Sequence, residues 1–200
     1  MVKNKLQLAL DLVRTKRFVR PRDLALRKIP SDYLDRLYRR GLVERISRGI
    51  YAWPDVDLGE NQALAEAVRQ IPRGVVCLLS ALQFHGIGAQ QPREVWLAIP
   101  PDAWRPKIDH PPIRLVHFSG DAYSRSVEKH DVHGVPIRVY GPAKTIADCF
   151  KFRNKLGLDV ALEALREGWR GRRCTMDDLW DAARVCRMTR VMRPYLESLA

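Results

Sequence analysis

The sequence has no long apolar run, and this lack argues against a membrane-spanning helix. Its longest uncharged apolar stretches, near residues 75–79 and 95–99, are far shorter than the roughly 20 residues that a bilayer requires. Asp11 and Arg14 interrupt the basic N-terminal segment, and no small-residue cleavage site follows, so we expect no signal peptide. These absences predict a cytoplasmic protein without membrane contact.

Closely spaced cysteines are also missing. The chain has four cysteines, none of them in a C-x-x-C pair: Cys77, Cys149, Cys174 and Cys186. Because most of them lie in apolar patterns, we expect reduced, buried thiols and not disulfides or zinc ligands. His130 and His133 have no cysteine or carboxylate partners at a matching spacing, so we expect neither a metal nor another cofactor.

Acidic residues are scarce in the first quarter of the chain. Residues 1–53 hold fourteen Lys and Arg against five Asp and Glu, whereas residues 54–165 hold thirteen of each. Residues 166–200, with eight against five, form a second and weaker basic zone that is expected to contact DNA or a protein. Basic side chains often only solvate a surface, but charge this concentrated attracts a polyanion.

The segment PSDYLDRLYRRGLVERISRGIYAW, residues 30–53, predicts a helix followed by a β-hairpin. Pro30 ends the preceding segment, Ser31 is the expected N-cap and Gly41 closes the helix. Two β-branched or aromatic runs follow, and Ser47, Arg48 and Gly49 separate them as the tip of a wing.

Helical spacing divides the side chains of this helix between two faces. Leu34, Leu37 and Tyr38 fall at i, i+3 and i+4 and predict a buried stripe, which leaves Tyr33 and Arg36, with Arg40, on another face. A helix flanked by a cationic wing fits the major groove of DNA. The predicted DNA-binding residues are Ser31, Tyr33, Arg36, Arg39, Arg40, Arg45 and Arg48.

The order of elements predicts an α+β protein of two domains. Helices at residues 3–17 and 21–26 precede the predicted recognition helix, so residues 1–54 are expected to form a winged helix-turn-helix DNA-binding domain. An acidic turn at residues 54–59 follows. Residues 60–200 then predict an α+β antitoxin or regulatory domain, with a mixed or antiparallel sheet followed by C-terminal helices.

No residue pattern predicts a catalytic site. Ser80 and His85 are five positions apart around a short helix, so we interpret Ser80 as a cap and His85 as a cation at the helix C-terminus. The carboxylates that a metal-dependent nuclease needs are scattered over Glu94, Glu128 and Asp131. We therefore expect a protein without enzymatic activity, and a nuclease is the less favoured alternative.

Four stretches in this order resemble the AbiEi-type antitoxins of bacterial type IV toxin–antitoxin systems. They are RLYRRGLVERISRGIYAWP, LLSALQFHGI, VWLAIP and VYGPAKTIADCFKFRNKLGLDVALEALREGW, and the resemblance covers residues 16 to about 169. It implies a winged helix that binds the promoter of its own operon. It also implies a C-terminal domain that counters a nucleotidyltransferase-like toxin, for which a stable complex is not required.

Related stand-alone regulators share these motifs, so a second hypothesis stays open at this point. In it the chain is a winged-helix regulator whose C-terminal domain senses a small molecule. A pocket lined by Trp96, Trp104 and Phe118 would favour that hypothesis, although aromatic residues at such positions are more often core.

Overall fold

The computed structural model describes residues 5–16, 18–47, 49–54, 61–103, 108, 111–132 and 135–199. Its contacts divide the chain into two compact units, residues 1–59 and residues 60–200. The acidic turn expected from residue 54 lies, from residue 55 onward, outside the described residues. Separate roles for the two parts of the chain remain a prediction.

The first unit combines three helices with a small sheet. Its helices are α1 (Lys5–Lys16), α2 (Pro21–Ala25) and α3 (Asp32–Arg39), and its strands are β1 (Phe18–Val19), β2 (Glu44–Ser47) and β3 (Ile50–Ala52). The sheet is antiparallel with the order β1-β3-β2. Helices followed by a two-stranded hairpin are consistent with the predicted winged helix. Strand β1 joins this sheet because Val19 pairs with Tyr51.

The core of the first unit buries the inner face of α3 against α1 and β3. Leu34 and Leu37 are fully buried together with Leu12 and Val13 of α1. Burying each leucine contributes about 1.5–3 kcal/mol. The prediction that Tyr38 completes this stripe is wrong, since Tyr38 is 48% exposed. Its ring instead lies edge-on to the buried Tyr51, with the ring centroids 6.4 Å apart.

The two ends of α3 differ in how well the sequence predicts them. Ser31 lies at the N-cap position, but its side chain accepts no hydrogen bond and its backbone is helical (φ −67°, ψ −23°). The prediction that its hydroxyl caps the helix is therefore wrong. Gly41 follows the helix as predicted, in the left-handed conformation (φ +66°) that glycine adopts without strain.

The second unit contains a five-stranded sheet and eight described helices. The strands are β4 (Val75–Val76), β5 (Val95–Ile99), β6 (Ile113–His117), β7 (Val127–Val132) and β8 (Val135–Tyr140). The helices are α4 (Gln62–Gln70), α5 (Leu78–His85), α6 (Asp121–Ser124), α7 (Pro142–Lys151), α8 (Arg153–Leu156), α9 (Leu158–Arg170), α10 (Met176–Val185) and α11 (Thr189–Glu197).

The sheet of the second unit is mixed, with the strand order β6-β5-β4-β8-β7. The pairs β4–β8 and β5–β6 are parallel, whereas β4–β5 and β7–β8 are antiparallel. Helices α7, α9 and α10 share a buried core with α5. The predicted α+β class is thereby confirmed. Over the residues with assigned positions, no helix has both the length and the apolar character needed to cross a membrane.

The residues of the SALQFHG stretch have structural partners that differ from those expected. Helix α5 begins at Leu78, so Ser80 lies inside it, buried, and its hydroxyl accepts a hydrogen bond from the Trp96 N–H at 3.0 Å. His85 Nε2–H donates to the Tyr140 carbonyl at 2.7 Å, and burial lowers the pKa of His85. His85 is therefore a neutral donor. The interpretations of Ser80 as a cap and of His85 as a helix-terminal cation are wrong.

The described residues contain neither a disulfide nor a metal-binding cluster. All four cysteines are free; Cys77, Cys149 and Cys186 are buried and Cys174 is partly exposed. Burial raises the pKa of Cys174 to about 11. His130 pairs with Glu128 at 3.0 Å, whereas His133 lies outside the described residues. Within the described ranges, no group of three or more His, Cys, Asp or Glu is arranged to hold a metal ion.

A buried ion pair lies at the centre of the second unit. Lys144 Nζ contacts Asp148 Oδ2 at 2.5 Å one turn along α7, and both side chains are fully inaccessible to solvent. Lys144 Nζ also lies 4.2 Å from the centroid of the Tyr140 ring, and Cys186 Sγ donates to Asp148 Oδ1 at 3.2 Å. Burial raises the pKa of Asp148, and the charge of Lys144 opposes this change. The pair thus connects α7 with β8 and α10.

Removal of one partner of this pair is expected to be far more costly than removal of both. Asp148→Asn or Lys144→Met alone should lower the free energy of unfolding by about 3–5 kcal/mol, because each leaves a buried charge uncompensated. The double variant Lys144→Met/Asp148→Leu should recover most of that loss.

Urea denaturation of the full chain, followed by circular dichroism, measures the effect. Glu197→Gln, which breaks the exposed Arg193–Glu197 pair of the same spacing, is the control and should have little effect. Equal losses in the single and double variants would contradict this account.

Candidate nucleic-acid interface

The exposed side of α3 carries charges of both signs. Leu34 and Leu37 point into the core, so the remaining side chains of the helix face outward or lie at its edge. The exposed charged residues are Asp32, Asp35, Arg36 and Arg39, with Arg40 just beyond the last turn. The two carboxylates decide which of these arginines are available to a polyanion.

Arg36 is held by two groups of its own helix. Its guanidinium pairs with Asp32 at 3.2 Å and lies 5.1 Å from the centroid of the half-buried Tyr33 ring. Tyr33 and Arg36 are thus brought together as the helical spacing predicts, but Tyr33 packs on the core. The ion pair and the ring restrict the orientation of the Arg36 guanidinium. Arg36 is therefore a pre-oriented cation whose charge is partly neutralised by Asp32.

Arg39 and Arg40 are the cations that α3 presents without restraint. Both are exposed, and neither has an ion pair or hydrogen-bond partner to its side chain among the residues with described positions. Arg39 is the last residue of the helix, and Arg40 is its C-cap. Ser31 is exposed at the opposite end of the helix. The predicted contacts therefore spread over the full length of α3 and do not form one cluster.

A hydrogen bond that the sequence does not predict joins the wing to α3. The hydroxyl of Tyr51, on β3, donates to the Asp35 carboxylate. Burial and the neighbouring Asp35 raise the pKa of Tyr51, so the phenol remains a donor at neutral pH. The bond neutralises none of the Asp35 charge, but it fixes the distance between the helix and the middle strand of the sheet.

The wing itself is described on both sides of its tip. Arg45 is exposed on β2 directly opposite Tyr51, and the register shifts between Arg45 and Ser47. Gly49 has a left-handed conformation (φ +75°), consistent with a tight turn. Arg48, the predicted contact at the tip, lies outside the described residues. Its role stays a prediction.

Other cations of the first unit serve internal contacts. The guanidinium of Arg14 lies 5.3 Å from the centroid of the Trp53 ring, and Lys16 pairs with Asp23 at 3.1 Å. Asp23 also accepts a hydrogen bond from the backbone N–H of Arg20. Although partial burial opposes the change, these hydrogen bonds lower the pKa of Asp23. Positive charge alone therefore does not identify the DNA-facing residues.

Residues 7–54 match the family model described as transcriptional regulator, AbiEi antitoxin. The first unit is therefore similar to the regulator module of AbiEi antitoxins. The match confirms the resemblance seen in the sequence over these residues, which run from the second half-turn of α1 to the end of the wing. It does not extend into the second unit, whose three stretches of resemblance begin at residue 78. No curated protein matches the chain.

The Tyr51–Asp35 bond leads to a prediction about DNA recognition by the first unit. Tyr51→Phe should leave the fold intact, at a cost of about 1 kcal/mol, while allowing α3 to move relative to the wing. Contacts to base edges require closer positioning than contacts to phosphates, so the preference for the chain's own upstream DNA over random DNA should fall.

Binding titrations of both duplexes, together with thermal unfolding, measure this effect. Tyr38→Phe is the matched control, because it removes a hydroxyl from the half-exposed ring beside Tyr51 and should leave the preference unchanged. A Tyr51→Phe variant with the wild-type preference would show that the bond does not position the helix.

Proposed function

We propose that the chain represses transcription of its own operon by binding the promoter through its first unit. The observation that carries this proposal is the unit itself. It is similar to AbiEi regulators over residues 7–54, and the exposed side chains of Arg39 and Arg40 at the end of α3 have no partner among the described residues. Fourteen basic residues against five acidic ones in residues 1–53 supply the long-range attraction to a polyanion.

In the proposed complex α3 enters the major groove and the wing lies along the neighbouring backbone. Arg39 and Arg40 are suited to bidentate contacts with guanine, because the guanidinium fork matches the O6 and N7 acceptors. Arg36 approaches the bases from its stacked position on Tyr33. Arg45 and Arg48 of the wing reach phosphates or the minor groove.

We further propose that residues 60–200 counter a nucleotidyltransferase-like toxin, without enzymatic activity and without the need for a stable complex. The support is the AbiEi match of the first unit together with the resemblance of three later stretches. Those stretches correspond to α5, to β5, and to the end of β8 with α7, α8 and α9. Their buried residues, among them Leu82, Trp96 and Phe150, share one core. The resemblance therefore supports the fold of this unit. It does not identify the surface residues that would recognise a partner.

The small-molecule alternative receives no support from the aromatic residues that the sequence associates with it. Trp96 and Phe118 are 7% and 3% exposed and belong to the core of the second unit, whereas Trp104 lies outside the described residues. A ring used for core packing offers no ligand surface. The antitoxin proposal is therefore the one we retain for residues 60–200.

Loss of the free arginines of α3 tests promoter binding. Arg39→Ala and Arg40→Ala should each weaken binding to the chain's own upstream region by about 1–3 kcal/mol where the arginine makes a bidentate base contact. Arg36→Ala should lose less, because Asp32 already neutralises part of the Arg36 charge. A mobility-shift titration measures the change, and Arg193→Ala in the second unit controls for the loss of one positive charge. Wild-type affinity in both the Arg39 and Arg40 variants would refute the assignment of α3.

Separation of the two proposed roles is tested with the full chain. The double variant Arg39→Ala/Arg40→Ala, expressed from an unrelated promoter, should no longer bind the chain's own upstream region. It should still protect cells from a co-expressed nucleotidyltransferase-like toxin as well as the wild type does. Growth during co-expression measures protection. An immunoblot confirms that the double variant and the wild type reach equal soluble levels. If the double variant is soluble and fails to protect, toxin neutralisation depends on the DNA-binding surface and the division of roles is incorrect.

A further inference from the structure

The turn after helix α2 contains a residue in the left-handed conformation that is not glycine. Lys28 has φ +56°, its N–H donates to the Ala25 carbonyl at 2.9 Å, and the next N–H, of Ile29, donates to the Leu24 carbonyl at 3.0 Å. This is the hydrogen-bond pattern of a Schellman motif. Leu24 and Ile29 are both buried, which supplies the apolar contact that accompanies the motif. The surrounding fold therefore holds Lys28 in a conformation that lysine disfavours.

Helix α3, in the same unit, ends in the same motif with the residue that suits it. Gly41 has φ +66°, its N–H donates to Tyr38 O at 2.9 Å, and the N–H of Leu42 donates to Leu37 O at 3.0 Å. Glycine adopts this conformation without the clash that a Cβ causes. The chain thus uses glycine at one of two equivalent positions and accepts backbone strain at the other. Strained residues of this kind are concentrated at functional sites.

The turn that contains Lys28 is a cationic surface directly before α3. Leu26 is 82% exposed, and Arg27 and Lys28 are exposed beside it. Neither cation has a salt bridge or hydrogen bond from its side chain to any other described residue, and the sequence from residue 24 to residue 31 contains no acidic residue. Pro30 and Ser31 then lead into the helix. Whatever α3 contacts with its N-terminal end, this turn lies next to it.

We propose that the turn between α2 and α3 is an additional DNA-backbone contact, in which Lys28 binds a phosphate at the edge of the groove that α3 enters. This inference rests on the proposed function and adds to it a contact outside the recognition helix and the wing. A phosphate is recognised by a point charge on a flexible stem, which lysine supplies without base preference. Lys28 therefore sets the position of α3 on the duplex and contributes affinity without sequence information.

Two other helices provide matched comparisons. Helix α9 is followed by Arg172 (φ +51°) and α10 by Arg187 (φ +58°), each with the same pair of closing hydrogen bonds. A cation after a helix C-terminus also interacts favourably with the helix dipole, which is a second reason for a basic residue at these positions. If interaction with the helix dipole were the only role of Lys28, Lys28→Gly would change the stability of the protein and leave DNA binding unchanged. The DNA-contact proposal requires that it alter binding.

The experiment compares Lys28→Gly, Lys28→Arg, Arg172→Gly and Arg69→Ala in the full chain. The two glycine variants relieve the same backbone conformation in different units, and Arg69→Ala removes one exposed positive charge outside both basic zones. Binding to the chain's own upstream duplex and to a random duplex of equal length is titrated over a range of salt concentrations. Lys28→Gly should weaken binding to both duplexes by about fivefold near 0.15 M salt and should make the slope of log K against log salt shallower by about 0.9.

The companion variants determine the interpretation. Lys28→Arg should keep the wild-type slope, and Arg69→Ala should leave the slope unchanged. The thermal midpoint of Lys28→Gly, like that of Arg172→Gly, should equal or exceed that of the wild type. An unaltered slope and affinity in Lys28→Gly, or an equal loss in Arg69→Ala, overturns the contact. Weakened binding by Arg39→Ala without an effect of Lys28→Gly refutes this inference alone. Failure of the wild type to bind either duplex refutes the proposed function and the inference together.

Discussion

The hydrogen bond from Tyr51 to Asp35 is the constraint on which the arrangement of the first unit depends. A recognition helix and a wing can read one duplex together only if the angle between them is fixed. Core packing of Leu34 and Leu37 fixes the inner face of α3, but a helix can still roll on an apolar surface. A polar bond from the middle strand to the outer edge of the helix restricts that roll. It does so by placing a carboxylate on the side of the helix that we propose faces DNA, where its negative charge would oppose phosphate binding.

Internal contacts also explain why the many cations of the first unit are not equally available to DNA. Arg14 and Lys16 hold α1 against Trp53 and Asp23, and Arg36 is shared with Asp32. These groups increase the net charge that attracts a polyanion, since a field depends on all charges, but they are not positioned for direct contact. The side chains of Arg39 and Arg40, and of Arg27 and Lys28 in the turn before α3, have no ion pair or hydrogen bond within the described structure. We therefore expect these four cations to make the direct contacts with DNA.

Local signals in the sequence predicted the elements well and their polar contacts poorly. Gly41 after α3 and the two β-branched or aromatic runs of the wing gave the correct element type because each depends on neighbouring residues only. The errors at Tyr38, Ser80 and His85 have a common cause. Each side chain has a tertiary environment that outweighs its local role: Ser80 bonds to β5 and His85 to the end of β8. The Tyr51–Asp35 hydrogen bond and the burial of the Lys144–Asp148 pair could not be predicted from the sequence for the same reason, since spacing within an element does not reveal what packs against it.

The second unit shows where resemblance stops being informative about a partner. The motif around Lys144 and Asp148 reads as an ordinary amphipathic helix, yet its charged residues are buried and hold α7 to β8 and α10. A single substitution there would lower the stability of this unit by about 3–5 kcal/mol, so loss of function at these positions cannot locate a binding surface. Residues that recognise a toxin or its substrate must be solvent-accessible and must change function without changing stability. The exposed arginines from Arg166 to Arg190 meet the first condition, and only the full-length protein, assayed for stability and protection in parallel, can establish the second.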